Sequence, residues 1–172
     1  MDDTNTAEQS PIPIEAALGR MVYTAATVEM LVELTGTLLA DGDAQVTELK
    51  GKPINALKKK TLGYAHAAGY LNVSMLKALE ALLGDVSASM DNRNAYVHGA
   101  WAEQDGGLIA MNSKPGQFRI KPLTAEHLDQ LTAELVQVRD RVAVWWNRAF
   151  AMKHPDAVVE GLEPDSAPPY LA

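Results

Sequence analysis

The sequence predicts an all-α protein: an up-and-down bundle of about four helices, with a small β-hairpin or ordered loop inserted before the last long helix. Two observations favour this fold class. Several long stretches carry apolar side chains at alternating intervals of three and four residues, the spacing of one face of a helix. One shorter stretch, residues 101–123, lacks this spacing and contains glycine and proline turn signals instead.

The first two helices are predicted before residue 70. The first begins at Ile14, after two prolines, and Asp41-Gly42-Asp43 ends it. Its apolar stripe comprises Ile14, Leu18, Met21, Ala25, Val28, Val32, Thr35 and Leu39. The second spans residues 53–68, because Pro53 suits a first helical turn, and residues 46–50 add a turn before it.

Two longer helices follow, separated by the region with turn signals. One begins near Asn72, a residue that caps helix N-termini well, and the other begins after Thr124 for the same reason. The stripe of the first of these helices comprises Met75, Leu79, Leu83, Val86 and Met90. That of the second comprises Leu128, Leu131, Leu135, Val138, Val142, Trp145, Ala149 and Met152. A seam as narrow as that of the last helix predicts antiparallel packing against another long helix.

Residues 101–123 predict the hairpin. Asp105-Gly106-Gly107 is a turn signal, and residues 108–111 and 117–121 favour two short strands. Pro115-Gly116 suits the turn that joins these strands. Such a hairpin has little stability of its own and needs support from the helices.

Length and composition indicate one domain. The 172 residues divide into a flexible leader (1–13), a helical domain (14–152) and a flexible, proline-rich acidic tail (153–172). The absence of cysteine excludes disulfides, thiolate metal sites and cysteine nucleophiles. The N-terminus lacks the basic and apolar regions of a signal peptide, and no apolar run approaches about 20 residues. We therefore expect a cytoplasmic protein without a membrane partner.

The charge distribution is uneven. The net charge of −7 argues against a general nucleic-acid binder. Residues 1–50 carry a net charge of −7 and residues 101–172 carry −3, whereas residues 51–100 carry +3. The basic third contains Lys58-Lys59-Lys60, which a solvated helix face explains best.

The third helix also predicts an unusual position for an arginine. When the stripe that ends at Met90 is continued, the next positions on the same face are Arg93 and Val97. A charge on a buried face is costly unless it is paired or lies in a wet cleft. Either an ion pair with Asp91, Glu29 or Glu33 or a functional site would explain it.

His98 lies five residues after Arg93, about 140° further round an ideal helix. The two side chains therefore converge only if the helix ends or bends between them, or if they come from two subunits.

The segment Arg93-Asn94-Ala95-Tyr96-Val97-His98 resembles the signature of the HEPN superfamily: an arginine, a polar residue and, a few residues later, a histidine. The helical plan of residues 14–152 is similar to that family as well. The resemblance implies a metal-independent endoribonuclease. In that activity His98 exchanges protons, Arg93 stabilises the charge on the phosphate, and Asn94 orients the phosphate or the histidine. The resemblance also implies a homodimer that binds RNA, without cofactor or metal, possible roles as a toxin or a defence effector, and a possible cognate inhibitor or antitoxin.

Two other interpretations remain open. Many members of the family are catalytically silent modules that bind a protein or a nucleotide, and a plain helical dimerisation module would also fit the apolar seams. One toxin branch carries a tyrosine two residues after the histidine as the target of a partner nucleotidyltransferase. Ala100 occupies that position here, so this regulation is not expected. The remaining histidines, His66, His127 and His154, are isolated in the sequence, and a metal site is not expected.

Overall fold

A computed structural model describes residues 13–114 and 117–157. In this part of the chain there are five helices and three strands. In chain order they are α1 (Ile14–Leu39), α2 (Asp43–Leu49), α3 (Ile54–Ala67), α4 (Val73–Val97), β1 (Ala100–Gln104), β2 (Gly107–Lys114), β3 (Gln117–Pro122) and α5 (Ala125–Lys153). The prediction of a mostly helical fold with a small β element before the last helix is confirmed.

The core lies between α1 and the other long helices. The predicted stripe of α1 is buried from Met21 to Leu39, and that of α5 is buried from Leu128 to Ala149. Each of these helices therefore presents one apolar face to the interior. Met152, the last predicted member of the α5 stripe, is 37% exposed, because it lies in the final turn of the helix.

Polar contacts give the helix directions. Arg20 near the start of α1 contacts Asp129 near the start of α5 at 2.7 Å, and Lys153 at the end of α5 donates to the carbonyl of Leu38. These two helices therefore run parallel. The predicted antiparallel partner of α5 is α4, since Trp145 Nε1 donates to the carbonyl of Met75 at 3.0 Å and Arg141 bonds Asp85 at 2.8 Å.

The short helix α2 explains why α1 and α5 are parallel. It runs antiparallel to α3, because Glu48 bonds Lys60 while Tyr64 Oη donates to the carbonyl of Gln45, nearer the start of α2. The turn predicted at residues 46–50 is thus an element that reverses the chain between α1 and α3. The estimate of about four helices is corrected to five in the described part of the chain.

The inserted β element has three strands in the order β1-β2-β3, all antiparallel, so the predicted two-stranded hairpin is corrected. The missed strand is β1, directly after α4. Asp105 (φ 52°) and Gly106 (φ 79°) form the two-residue turn between β1 and β2, and both adopt the positive φ that such turns require. The turn predicted at Pro115-Gly116 lies outside the described residues.

Helix α1 is long and apolar enough to cross a bilayer, by length and composition alone. The charged residues Arg20, Glu29 and Glu33 interrupt it, so it contains no continuous apolar run of about 20 residues. Half of the residues in its most apolar window are buried inside the protein. Most of the predicted leader and residues 158–172 of the predicted tail lie outside the described residues. Lys153, assigned to the tail, is the last residue of α5.

Candidate functional site

Helix α4 carries the candidate residues in its last two turns. The Asn72 side chain accepts from the Met75 N–H and so caps the N-terminus, as predicted, and the helix continues without interruption to Val97. On this helix Met90 is 1% exposed, and Arg93, three residues on, is partly buried. The prediction that Arg93 lies on the side of α4 that faces the core is therefore in agreement with the structure.

Arg93 is held by its neighbour. Its Nη1 donates to Asn94 Oδ1 at 2.9 Å, and its Nε is buried without a hydrogen-bond partner in the described residues. A buried N–H without a partner costs free energy, about 1–3 kcal/mol for a typical group. Arg93 and Asn94 therefore form a polar unit with hydrogen-bonding capacity to spare.

Glu29 and Glu33, two of the carboxylates considered as partners for Arg93, line a separate groove with Pro53. They lie nine and thirteen residues beyond Arg20 on α1, or about 14–20 Å along the helix axis. Arg20 marks the end of α1 that lies beside the start of α5. This is also the end of the molecule at which α4 terminates, so neither glutamate accounts for Arg93.

His98 is the C-cap residue of α4. Its backbone N–H donates to the carbonyl of Asn94 at 3.0 Å, and its side chain is exposed. Because the helix is continuous through Val97, the side chains of Arg93 and His98 leave the axis about 140° apart. No hydrogen bond joins the two side chains within the described part of one chain, so a single copy does not bring them together.

The sheet packs on the helix beside the motif. Asn112 Nδ2 of β2 donates to the carbonyl of Asn94 at 3.4 Å, and Lys121 Nζ of β3 donates to Asn92 Oδ1 at 3.0 Å. Trp101 Nε1 of β1 donates to the carbonyl of Tyr96 at 2.9 Å. All three strands thus hold the end of α4.

Sequence reasoning did not identify these supporting residues, because each one is polar or aromatic without a distinctive spacing. The signal that was available is the concentration of side-chain amides at the end of the helix. Asn92 and Asn94 flank the arginine, and asparagine in a helix interior usually needs a specific partner.

Tyr96 lies between α4, α5 and the sheet. It is 5% exposed, and the Lys121 ammonium stands 5.6 Å from the centre of its ring. Burial raises the pKa of the Tyr96 phenol, and the negative charge of Glu134 raises it further. Tyr96 is therefore a buried packing residue, whereas the side chain of His98, two positions later, is exposed.

Gly99 is required by close packing. A Cβ atom on this residue would lie 2.4 Å from the carbonyl oxygen of Ala95 and 2.7 Å from that of Met111. Both contacts are shorter than real Cβ atoms make, and both involve backbone. The glycine after His98 thus lets the chain leave α4 while β2 passes directly against it.

The three pockets described for this protein lie away from Arg93 and His98, on α1, around Tyr70 and along α4 and α5. Among residues 13–114 and 117–157, no group of three histidine or acidic side chains is placed to hold a metal ion. In the described part of one copy, the candidate site is therefore an exposed histidine and a partly buried arginine at the end of a helix, outside these three pockets.

No model of a known protein family matches this chain, and no curated protein or solved structure matches it either. The assignment of the Arg93–His98 segment therefore depends on its own residues and their surroundings.

Proposed function

We propose that this protein is a HEPN-like, metal-independent endoribonuclease whose domain is an up-and-down helical bundle. In this proposal it acts in the cytoplasm as a homodimer, and Arg93, Asn94 and His98 of both copies line one RNA-binding cleft. A toxin or defence effector with a cognate inhibitor would be its biological setting.

The observation that carries the proposal is the environment of Arg93. Its guanidinium is partly buried at the end of α4, donates to the Asn94 side chain and retains an unpartnered Nε. A structural arginine in such a position would normally have its donors satisfied. Because the Nε is closed to solvent, an incoming phosphate would bind the guanidinium through its Nη groups, whose charge and planar fork of donors suit that anion.

The chemistry needs only a base, an acid and positive charge. The ribose 2′-oxygen attacks the adjacent phosphorus, the bond from phosphorus to the 5′-oxygen breaks, and a 2′,3′-cyclic phosphate and a 5′-hydroxyl remain. His98 removes the proton from the 2′-hydroxyl, and the imidazolium that results gives a proton to the leaving 5′-oxygen. Arg93 stabilises the additional negative charge on the phosphoryl oxygens.

Two copies supply what one copy lacks. Within one chain Arg93 and His98 point in different directions, whereas a two-fold axis near the end of α4 would bring the arginine of one copy towards the histidine of the other. The same arrangement would double the positive charge of the cleft, in a chain whose net charge is −7. The proposal therefore requires a dimer.

The second candidate function is a catalytically silent HEPN-like dimer that binds a protein or a nucleotide. One observation favours it: the His98 side chain is exposed and, in the described part of the chain, forms no hydrogen bond that would orient its ring. A general base usually has a partner that fixes its orientation. In this candidate Arg93 binds an anionic group of the ligand, and no bond is broken.

The test is cleavage of total RNA and transfer RNA by the purified protein in EDTA. The wild type is compared with Arg93→Ala and His98→Ala. Arg141→Ala and His66→Ala are the matched controls, because both of these side chains are exposed. Arg141 bonds Asp85, about 12 Å before Arg93 along α4, and His66 lies in the last turn of α3. We expect each motif variant to lower the cleavage rate by at least about 100-fold and each control to retain it.

The products separate the two candidates. Cleavage with 2′,3′-cyclic phosphate ends that both motif substitutions abolish supports the endoribonuclease. Absence of cleavage by a folded dimer, together with RNA or nucleotide binding that Arg93→Ala weakens, supports the silent binding module. Cleavage that survives both substitutions refutes the assignment of Arg93 and His98.

A further inference from the structure

Helix α1 is apolar on two opposite faces. One face is the buried stripe of the core. On the other face Tyr23 is 77% exposed, Met30 50% and Leu34 43%, and Ala26 is exposed between them. These four residues also follow the helical spacing of three and four. Exposed apolar side chains that form a continuous patch normally mark an interaction surface, so the second stripe indicates a partner.

A groove accompanies the exposed stripe. Met30 and Leu34 of α1 form one wall, and Pro53 and the buried Leu57 lie across from them at the start of α3. The groove has a volume of about 540 Å³. The stripe from Tyr23 to Leu34 is about 16 Å long, or three turns of helix. The stripe is therefore long enough to bind a short amphipathic helix that inserts apolar side chains into the groove.

Charge distinguishes between possible occupants. Glu29 and Glu33 lie one turn apart on α1 and line the groove, and Lys52 is the one basic residue among the residues that line it. Arg20, the one basic residue of α1, is bound to Asp129 at the other end of the helix. A second copy docked here about a two-fold axis would bring four glutamates and only two lysines together, and this excess of negative charge disfavours self-association. A helix with basic residues beside its apolar face would neutralise them.

We propose that the groove formed by α1 and the start of α3 binds a basic amphipathic helix of another protein. Apolar residues of the partner, spaced three and four apart, cover Met30 and Leu34. Lysine or arginine side chains four residues apart bind Glu29 and Glu33. This surface is separate from Arg93 and His98, so the inference stands whether or not the chain cleaves RNA.

The experiment uses the full chain and three fluorescent 18-residue peptides. The first is a helix of leucine at core positions and lysine on the flanks, the second replaces its lysines by glutamate, and the third is a scrambled form of the first. Fluorescence anisotropy is measured for the wild type, for Glu29→Lys/Glu33→Lys and for Met30→Ser/Leu34→Ser. Glu80→Lys/Glu103→Lys is the matched charge control, because both residues are exposed on other elements.

We expect the basic helix to bind at least tenfold more tightly than the acidic or scrambled peptide. The Glu29→Lys/Glu33→Lys variant should reverse the preference between the basic and acidic helices, Met30→Ser/Leu34→Ser should weaken both, and the control should resemble the wild type. The proposal is refuted if no peptide binds, if the control loses as much affinity as the groove variant, or if the wild type dimerises and Met30→Ser/Leu34→Ser alone makes it monomeric.

Discussion

The helical core and the junction between α4 and the sheet are stabilised in different ways. In the core, α1 and α5 pack along their lengths through apolar side chains, and Val28, Leu128 and Leu135 are completely buried. At the junction, asparagine, lysine and tryptophan side chains hold the last turns of α4. The core depends on the area of apolar surface removed from water, whereas the junction depends on a few directional contacts.

This difference shows where the molecule can accommodate function. A packed apolar seam tolerates little change, because every methylene in it contributes to stability. A polar junction orients a few side chains at a helix end and leaves others, such as His98, exposed. Substitutions in the core should therefore affect mainly the stability of the fold, and substitutions at the junction should affect mainly the geometry of the site.

The largest effect on stability is expected in the core. Leu135→Ala removes a completely buried side chain of α5 and leaves a cavity, so it should lower the free energy of unfolding by about 2–5 kcal/mol. Met152→Ala, in the exposed last turn of the same helix, should cost much less. Urea unfolding followed by circular dichroism measures both values. Equal losses for the two variants would contradict this account of the α5 seam.

A smaller effect is expected at Gly99. The Gly99→Ala substitution places a methyl group against the carbonyl oxygens of Ala95 and Met111, and overpacking of this kind costs about 1–3 kcal/mol. Gly19→Ala is the control, since its Cβ in α1 meets nothing within 4 Å and helix propensity should stabilise it by about 0.5–1 kcal/mol. If both variants gain stability in thermal unfolding, β2 does not pack against Gly99 as described.

The contact between β3 and α4 should contribute about 1 kcal/mol to the free energy of unfolding. Lys121→Met removes the hydrogen bond to Asn92 and the ammonium above the Tyr96 ring, which are modest interactions at a partly exposed position. Lys59→Met on the exposed face of α3 is the matched control. Hydrogen exchange should show faster opening of residues 117–122 in Lys121→Met only. Unchanged protection there would mean that Lys121 does not anchor the strand.

The smallest effect is a pH dependence at the junction. An unfolded tyrosine loses its proton near pH 10, whereas burial and Glu134 keep the proton on Tyr96 to higher pH. Above pH 10 the folded chain thus binds more protons than the unfolded chain, so stability is complete below pH 10 and is lost as the pH rises through the folded pKa. Between pH 8 and 11 the free energy of unfolding should fall less steeply with pH in Tyr96→Phe than in the wild type. An identical decline in both proteins would contradict the burial of this phenol.

The positions of the helices could be predicted from the sequence because the regular spacing of apolar residues indicates them. The stripe beginning at Ile14 and the caps at Asn72 and Thr124 identify the first residues of three long helices to within about one residue. Strand β1 was missed because its residues, Ala100 to Gln104, lack the alternation of a strand. The neighbouring Asp105-Gly106 turn was the available signal, since a two-residue turn of this kind joins two strands.

The candidate site was only partly predictable. The placement of Arg93 followed from the phase of the α4 stripe, which the structure continues to Val97. The position of His98 depends on how the chain leaves the helix, and that depends on the close approach of Met111 to Gly99. A contact between residues twelve positions apart in sequence leaves no periodic trace, so local pattern could not reveal it.

The central claim is that Arg93 of one copy acts with His98 of the other. The most direct measurement mixes Arg93→Ala and His98→Ala subunits, co-expressed so that they exchange, and compares their RNA cleavage with the wild type and with each variant alone. Half of the dimers would be mixed, and each mixed dimer would contain one intact pair and one doubly damaged pair, so activity should return to about one quarter of the wild-type value. A mixture as inactive as either variant alone, beside an active wild type, would contradict the shared site.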